Sequence, residues 1–233
     1  MRTPGRTFRS ELQHELNKMK AMTLRGKISY FFTYYKHLIV IFLFLCLVGF
    51  FIGDWIVESR KDIVLEGFFT NDEWDLFNAS QLAKDYRAHF PLEGREDVYF
   101  DDTLYIDMEG EITDYSSASA AKISVYIANK ELDFIVTSDP VFQYYTGSIP
   151  MCDLRDILPA DLLDQLEEYL VFASPDGVHE GAYGLDLTAS RYVAGIGADQ
   201  EPLIKDNYIL FIPEIAPHKE AIVDYIRFLF RWQ

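Results

Sequence analysis

One long apolar stretch dominates the hydropathy pattern near the amino end of the chain. Residues 38–53 contain no charged side chain. As a helix, this run extends roughly 24 Å, which is shorter than the roughly 30 Å hydrocarbon core of a bilayer. Extending it back to residue 34 supplies the missing length and places Lys36 where its ammonium group can reach the headgroups. The pattern predicts a transmembrane helix over residues 34–53.

Aromatic residues at both ends of this segment support a membrane span, because tyrosine and tryptophan favour the membrane–water interface. The residues assigned to the span or its boundaries are Tyr34, Tyr35, Leu38, Cys46, Gly53 and Trp55. A buried core helix and a cleaved signal peptide are the alternative interpretations. A core helix is seldom apolar on all sides beside a basic flank. A signal peptide needs a small-residue cleavage site, and residues 50–55 (FFIGDW) show no A-x-A pattern.

After residue 54 the pattern alternates between strand-like and helix-like periods. Strands are predicted over residues 62–69, 98–100, 103–106, 134–136 and 208–212. Helices are predicted over residues 72–90, from residue 116 onward, over 140–145 and 159–169, and from residue 217 onward. No repeat or low-complexity linker interrupts this region. The alternation predicts one compact α/β domain over residues 54–233.

Charge divides the chain at the same point. Residues 1–53 carry eight Lys and Arg against two Glu, whereas residues 54–233 carry a net charge of −22. Basic residues near a span favour the cytoplasmic side, so the arm of residues 1–33 is predicted inside the cell and residues 54–233 outside. The arm also suits anionic lipid headgroups. Nucleic-acid binding is not predicted, because the position beside the membrane already explains the basic charge.

Motifs for catalysis or cofactor binding are missing from the sequence. It contains no G-x-S-x-G, H-E-x-x-H, P-loop or C-x-x-C pattern, so no enzyme activity and no cofactor are predicted. Cys46 in the span and Cys152 in the exported domain cannot form a disulfide with each other. The acidic stretch 101–114 has its glycine at the wrong offset for an EF-hand loop. A solvated acidic face is the favoured interpretation, with weak divalent-cation binding as the alternative.

The most specific candidate for a binding site follows the predicted strand 134–136. This short apolar run is typical of an interior strand, and it leads directly into Thr137, Ser138 and Asp139. Ligands of α/β sheets bind at the carboxyl ends of strands, so these three residues form a candidate ligand-binding rim. Asp101 and Asp102 complete the candidate set. Alternatively, Ser138 or Asp139 only caps the helix that Pro140 begins.

Residues 116–159 resemble a segment of the extracellular solute-binding proteins of ABC importers. That family often has a helix followed by a strand with flanking Asp residues, then a short helix and a turn with Gly and Asp-Leu. The matching residues are Ala128, Asp133, Ile135, Asp139, Gly147, Asp153 and Leu154. Residues 183–191 are similar to the family's return strand, and residues 208–230 are similar to its carboxyl-terminal helix.

The resemblance implies one lobe of a type II periplasmic-binding-protein fold. A two-lobed member usually needs well over 250 exported residues, more than this chain provides, so an abridged, membrane-anchored relative is expected. The predicted function is a non-enzymatic extracytoplasmic domain in the cell membrane that interacts with another membrane protein, such as an ABC transporter subunit. The alternative is a receptor for a small solute, and a cationic one would suit the acidic domain.

Overall fold

We describe the protein from a computed structural model that covers residues 36–58, 61–72, 74–108, 112–175, 177–194 and 207–230. The chain divides into two units, with the boundary between residues 60 and 61. The predicted basic arm of residues 1–33 lies outside the described residues, as do Tyr34 and Tyr35 at the start of the predicted span.

The described part of the first unit is one helix, α1 (Lys36–Glu58). Its segment Lys36–Ile56 is long and apolar enough to cross a membrane, and none of it is buried against the rest of the protein. The span was predicted to end at Gly53, but the helix continues beyond that residue. Asp54 and Trp55 contain no helix-breaking chemistry, and the helix therefore continues to Glu58.

The second unit is built on a mixed six-stranded sheet. Its strands are β1 (Asp62–Thr70), β2 (Glu96–Leu104), β3 (Phe134–Ser138), β4 (Leu170–Ala173), β5 (Gly181–Asp186) and β6 (Tyr208–Phe211). Their order across the sheet is β2-β1-β3-β6-β5-β4. β1 is parallel to β2 and β3, whereas β6 is antiparallel to β3 and β5, and β4 is antiparallel to β5. The α/β class predicted from the sequence is confirmed.

Six helices of this unit are described. They are α2 (Ala79–His89), α3 (Asp114–Ala128), α4 (Asp139–Thr146), α5 (Leu154–Ile157), α6 (Ala160–Leu166) and α7 (Lys219–Phe230). The helix predicted over residues 159–169 is α6 followed by one 3-10 turn, Glu167–Tyr169. β4 follows that turn directly and was not predicted, because the chain shows no Gly or Pro there to separate helix from strand.

Two predicted boundaries are wrong for local reasons. The predicted helix 72–90 begins only at Ala79, where the Asn78 side chain accepts a hydrogen bond from the Gln81 amide. Asp72 instead accepts a bond from the Phe77 amide in the loop before that helix. The strand segments 98–100 and 103–106 are joined in β2, with an irregularity in the pairing with β1.

Aromatic side chains fill the two faces of the sheet. On one face, the rings of Phe134 in β3 and Tyr225 in α7 stack with their centroids 4.8 Å apart. On the other face, the ring centroid of Phe68 lies 5.0 Å from that of Tyr126 in α3. Phe68, Phe134 and Tyr225 are fully buried, and ring pairs of this kind add to the stability gained from burial alone.

Gly67 in β1 makes room for one of these rings. A Cβ atom at this position would lie 2.1 Å from Cζ of Phe134. We therefore expect Gly67→Ala to reduce the free energy of unfolding by about 1–3 kcal/mol, since the buried ring must shift. The measurement is denaturant unfolding followed by circular dichroism.

Gly147→Ala is the matched control. Gly147 has a negative φ of −89° and no atom near the position of its missing Cβ. This substitution should leave stability unchanged or raise it slightly, because alanine restricts the unfolded chain. Equal effects of the two substitutions would contradict the close packing at Gly67.

Candidate functional site

The predicted rim lies where ligands usually bind in an α/β sheet. β1 has β2 on one side and β3 on the other, so the carboxyl ends of β1 and β3 form the topological switch point. Thr70 and Thr137 occupy these two ends, and their hydroxyl oxygens lie 2.5 Å apart. Both residues have no exposed surface. Each hydroxyl therefore has the other as a partner within the protein.

Ser138 and Asp139 follow at the junction of β3 and α4. Ser138 occupies the N-cap position of α4, but its side chain makes no capping hydrogen bond. Asp139 lies in the exposed first turn, and Gln143 Nε2 donates to its carboxylate across 3.4 Å. The junction therefore works as a strand-to-helix turn without the expected side-chain cap.

Asp101 and Asp102 bond to different parts of the domain. Asp101 is almost fully buried and pairs with Lys122 of α3, with Nζ and Oδ2 2.5 Å apart. Asp102 Oδ2 accepts a 2.7 Å hydrogen bond from the amide of Ala79 at the start of α2. Each carboxylate thus bonds to a different helix, and the two do not form one acidic site. A ligand-binding role for the five rim and acidic residues stays a prediction.

Lys122 is held in a ring of aromatic side chains. Its Nζ atom lies 5.2 Å from the ring centroid of Phe68, 5.6 Å from that of Tyr99 and 5.5 Å from that of Tyr126. These distances fall within the range of cation–π attraction. Burial alone would raise the pKa of Asp101, but hydrogen bonds from Lys122 and Thr103 hold that pKa below its usual value.

A second buried carboxylate joins three segments of the chain. Asp133 has no exposed surface and precedes β3 directly. It accepts hydrogen bonds from the amide of Glu66 at 2.7 Å and from the amide of His218 at 2.9 Å. Nδ1 of His218 also lies 3.1 Å from the same carboxylate. Burial raises the pKa of Asp133, although these bonds act in the opposite direction.

A cavity of about 480 Å³ lies where the chain before α5 meets the chain after β6. Two backbone hydrogen bonds join these segments, from the Cys152 amide to Ile212 and from the Glu214 amide to Pro150, each 2.9 Å long. The residues that line the cavity are Met151, Cys152, Asp153, Asp156, Ile157, Tyr183, Glu214, Lys219, Glu220 and Val223. Four carboxylates therefore surround the cavity with one ammonium group.

The thiol that lines the cavity is not activated as a nucleophile. Burial raises the pKa of the Cys152 thiol, which keeps it protonated, although Lys219 beside it acts in the opposite direction. Burial would also raise the pKa of Asp153, but hydrogen bonds from Arg155 hold it below its usual value. Asp153 therefore stays ionised at the cavity wall. Among the residues described here, no three His, Cys, Asp or Glu side chains are placed to hold a metal ion.

Neither the cavity nor the burial of Glu66 and Asp133 was predicted from the sequence. The cavity unites residues 151–157, Tyr183 and residues 214–223, and only the three-dimensional fold brings these segments together. One signal was present in the sequence, since Glu66 interrupts an apolar run that was predicted to be a strand. A charged residue inside such a run indicates a buried carboxyl group with a special environment.

Comparison of the chain with family models, curated proteins and solved structures found no match. The resemblance to solute-binding proteins of ABC importers therefore stays a prediction. The structure alone establishes the α/β fold, with its mixed six-stranded sheet and, among the described residues, one apolar helix.

We expect Asp101→Asn to lower the free energy of unfolding by about 1–3 kcal/mol, because it leaves the Lys122 ammonium group without its ionised partner. Denaturant unfolding near neutral pH measures the change. The pKa of Asp101 is lowered in the folded protein, so its stabilising effect is present above the ordinary Asp pKa and is lost as the pH falls through the lowered value.

Asp62→Asn is the control for this substitution. Asp62 forms a long and exposed ion pair with Arg95, with 3.8 Å between the charged atoms. Exposed pairs contribute about 0–1 kcal/mol, so this variant should unfold almost as the wild type does. If Asp101→Asn were as stable as the wild type at neutral pH, the buried ion pair would contribute nothing to the free energy of unfolding.

Proposed function

We propose that this chain is a single-pass protein of the cell membrane whose α/β domain lies outside the cytoplasm and acts as a non-enzymatic interaction partner. Helix α1 is the observation that carries the proposal. Its 21-residue segment Lys36–Ile56 has the length and composition of a span, and most of its apolar side chains are exposed. Lipid is the environment in which such a surface is stable.

The distribution of charge supports the orientation. Eight Lys and Arg lie among residues 1–53, and an excess of basic residues beside a span favours the cytoplasmic side. This orientation places the amino terminus in the cytoplasm and the acidic domain outside. The basic arm would then lie against the anionic lipids of the inner leaflet.

An anchored domain with its own core is suited to work on a neighbour in the membrane. The anchor confines the domain to a thin layer, which raises its effective concentration toward other membrane proteins. The excess of carboxylates in residues 54–233 favours a partner with a basic surface. The resemblance to solute-binding proteins suggests an ABC transporter subunit as that partner.

The acidic cavity favours a second candidate function, a receptor for a small organic cation. Asp153, Asp156, Glu214 and Glu220 surround a volume of about 480 Å³ with the ammonium group of Lys219. Arg155 pairs with Asp153, so the four carboxylates still outnumber these two cations. The aromatic side chain of Tyr183 and the apolar side chain of Ile157 line the same cavity. The described carboxylates do not converge on one point as metal ligands do, so separate ammonium groups on one molecule fit them better.

Protease treatment of intact cells tests the topology. With an epitope tag at each end of the chain, we expect added protease to remove the carboxyl-terminal tag and to leave the amino-terminal tag intact. Detergent-permeabilised cells are the control, in which both tags should be digested. Protection of the carboxyl-terminal tag in intact cells, or a mature protein that begins after residue 53, would contradict the proposal.

Thermal unfolding of the full chain in detergent tests the second candidate. Diamines, choline and arginine at millimolar concentration should raise the melting temperature by about 2 °C or more if the cavity binds them. Asp156→Asn combined with Glu220→Gln should abolish this rise, whereas Glu168→Gln, an exposed control outside the cavity, should preserve it. No rise with any cation would exclude the receptor role and leave the interaction role standing.

A further inference from the structure

Glu66 is a carboxyl group in an unusual position. It lies in the middle of β1 and is 6% exposed. Its Oε1 atom is buried and has no hydrogen-bond partner among the described residues. An ionised carboxylate without a partner is strongly unfavourable in such a place, whereas a neutral carboxylic acid is tolerated.

The charged groups around Glu66 further disfavour its ionised form. They are Tyr99 and Asp101 of β2, Lys122 and Tyr126 of α3, Glu131 and Asp133 of the connection that follows α3, and His218, which bonds to Asp133. Three other carboxyl groups therefore face Glu66 together with one lysine. That lysine already binds Asp101, with 2.5 Å between the charged atoms. No cation of this set remains for Glu66 without a rearrangement.

We propose that the Glu66 side chain is a proton-operated lock between the sheet and helix α3. The neutral acid lets α3 close over β1 and β2. Loss of the proton adds a second negative charge in β1, on the strand that pairs with the strand of Asp101, and the contact with α3 then loosens.

The contacts of α3 explain why this helix responds. Lys122 and Tyr126 both belong to α3, and both pack on Phe68, which is two residues from Glu66 in β1. An ionised Glu66 needs either water or an ammonium group. Water must enter between α3 and the sheet, and Lys122 must leave Asp101 to supply the ammonium group. Either event disturbs the packing of α3.

The direction of the pH dependence follows from the protonation of Glu66. Burial raises its pKa from 4.5 to about 8, with Glu131 and Asp133 as the next causes. Because the folded pKa lies above the unfolded one, the neutral acid stabilises the fold fully below pH 4.5, and this stability is lost as the pH rises to about 8. The lock is therefore closed at acidic pH and open at alkaline pH.

The proton-operated lock depends only on the domain and its buried groups. It holds whether or not the domain binds a transporter or a cation. If the domain lies outside the cell, however, the lock would respond to the pH of the surroundings.

Thermal unfolding of the full chain in detergent, at about pH 6 and about pH 9, is the first measurement. We expect the wild-type melting temperature to be about 5 °C or more lower at the higher pH. Glu66→Gln should remove most of this difference, because the amide cannot ionise. Glu168→Gln, an exposed control, should retain it.

Limited trypsin digestion distinguishes a local loosening of α3 from a loss of stability throughout the domain. At alkaline pH, cleavage after Lys122 in α3 should be several-fold faster in the wild type than in Glu66→Gln, while cleavage after Lys84 in α2 should be equal in the two proteins. At mildly acidic pH the two proteins should be cut after Lys122 at the same rate.

Glu131→Gln gives a second test on an exposed residue, in case Glu66→Gln does not fold. Removing the charge of Glu131 should lower the pKa of Glu66 in the folded protein, so that the loss of stability ends at a lower pH and is smaller in total. An unchanged pH dependence in both Glu66→Gln and Glu131→Gln would overturn the proposal. Equal acceleration of cleavage after Lys84 and Lys122 would also overturn it.

Discussion

The carboxylate of Asp133 is the connection on which the rest of the domain depends. It accepts amide hydrogen bonds from Glu66 in β1 and from His218 just before α7, across separations of 67 and 85 residues in the chain. These two bonds fix the start of α7 against the centre of the sheet. α7 in turn supplies Tyr225 to the aromatic core and Lys219 and Glu220 to the acidic cavity. One buried carboxyl group thus positions both the core and the candidate site.

Three of the buried carboxyl groups in the described domain, those of Asp101, Asp133 and Glu66, are stabilised in three different ways. Asp101 is neutralised by the ammonium group of Lys122, and Asp133 is stabilised by backbone amides and His218. Glu66 has neither kind of partner for Oε1, so it is stabilised by keeping its proton. Asp97, a fourth buried carboxylate, pairs with Lys61 and Arg87. Lys122 pairs with Asp101 and not with Glu66, which therefore favours its protonated form.

Local patterns predicted most of the elements, and long-range contacts account for most of what was missed. β3 and α7 follow from apolar runs and periods that any short window of sequence displays. The start of α2 was misplaced because Asn71 and Asp72 look like capping residues, although Asn71 has a positive φ of 59° and lies in a loop. The hydrogen bonds between Thr70 and Thr137 and between Glu66 and Asp133 form because β1 and β3 are neighbours in the sheet. The sequence of either segment alone does not indicate these contacts.

The size of the described domain also limits how it can bind a small molecule. Solute-binding proteins with two lobes close about a hinge and enclose the ligand, which requires two bodies that move against each other. The second unit here has a single sheet, and its cavity is formed by segments that backbone hydrogen bonds already hold together. A ligand of this cavity would therefore bind to a preformed cleft. Such a cleft relies on charge attraction more than on enclosure, so its affinity should fall as salt concentration rises.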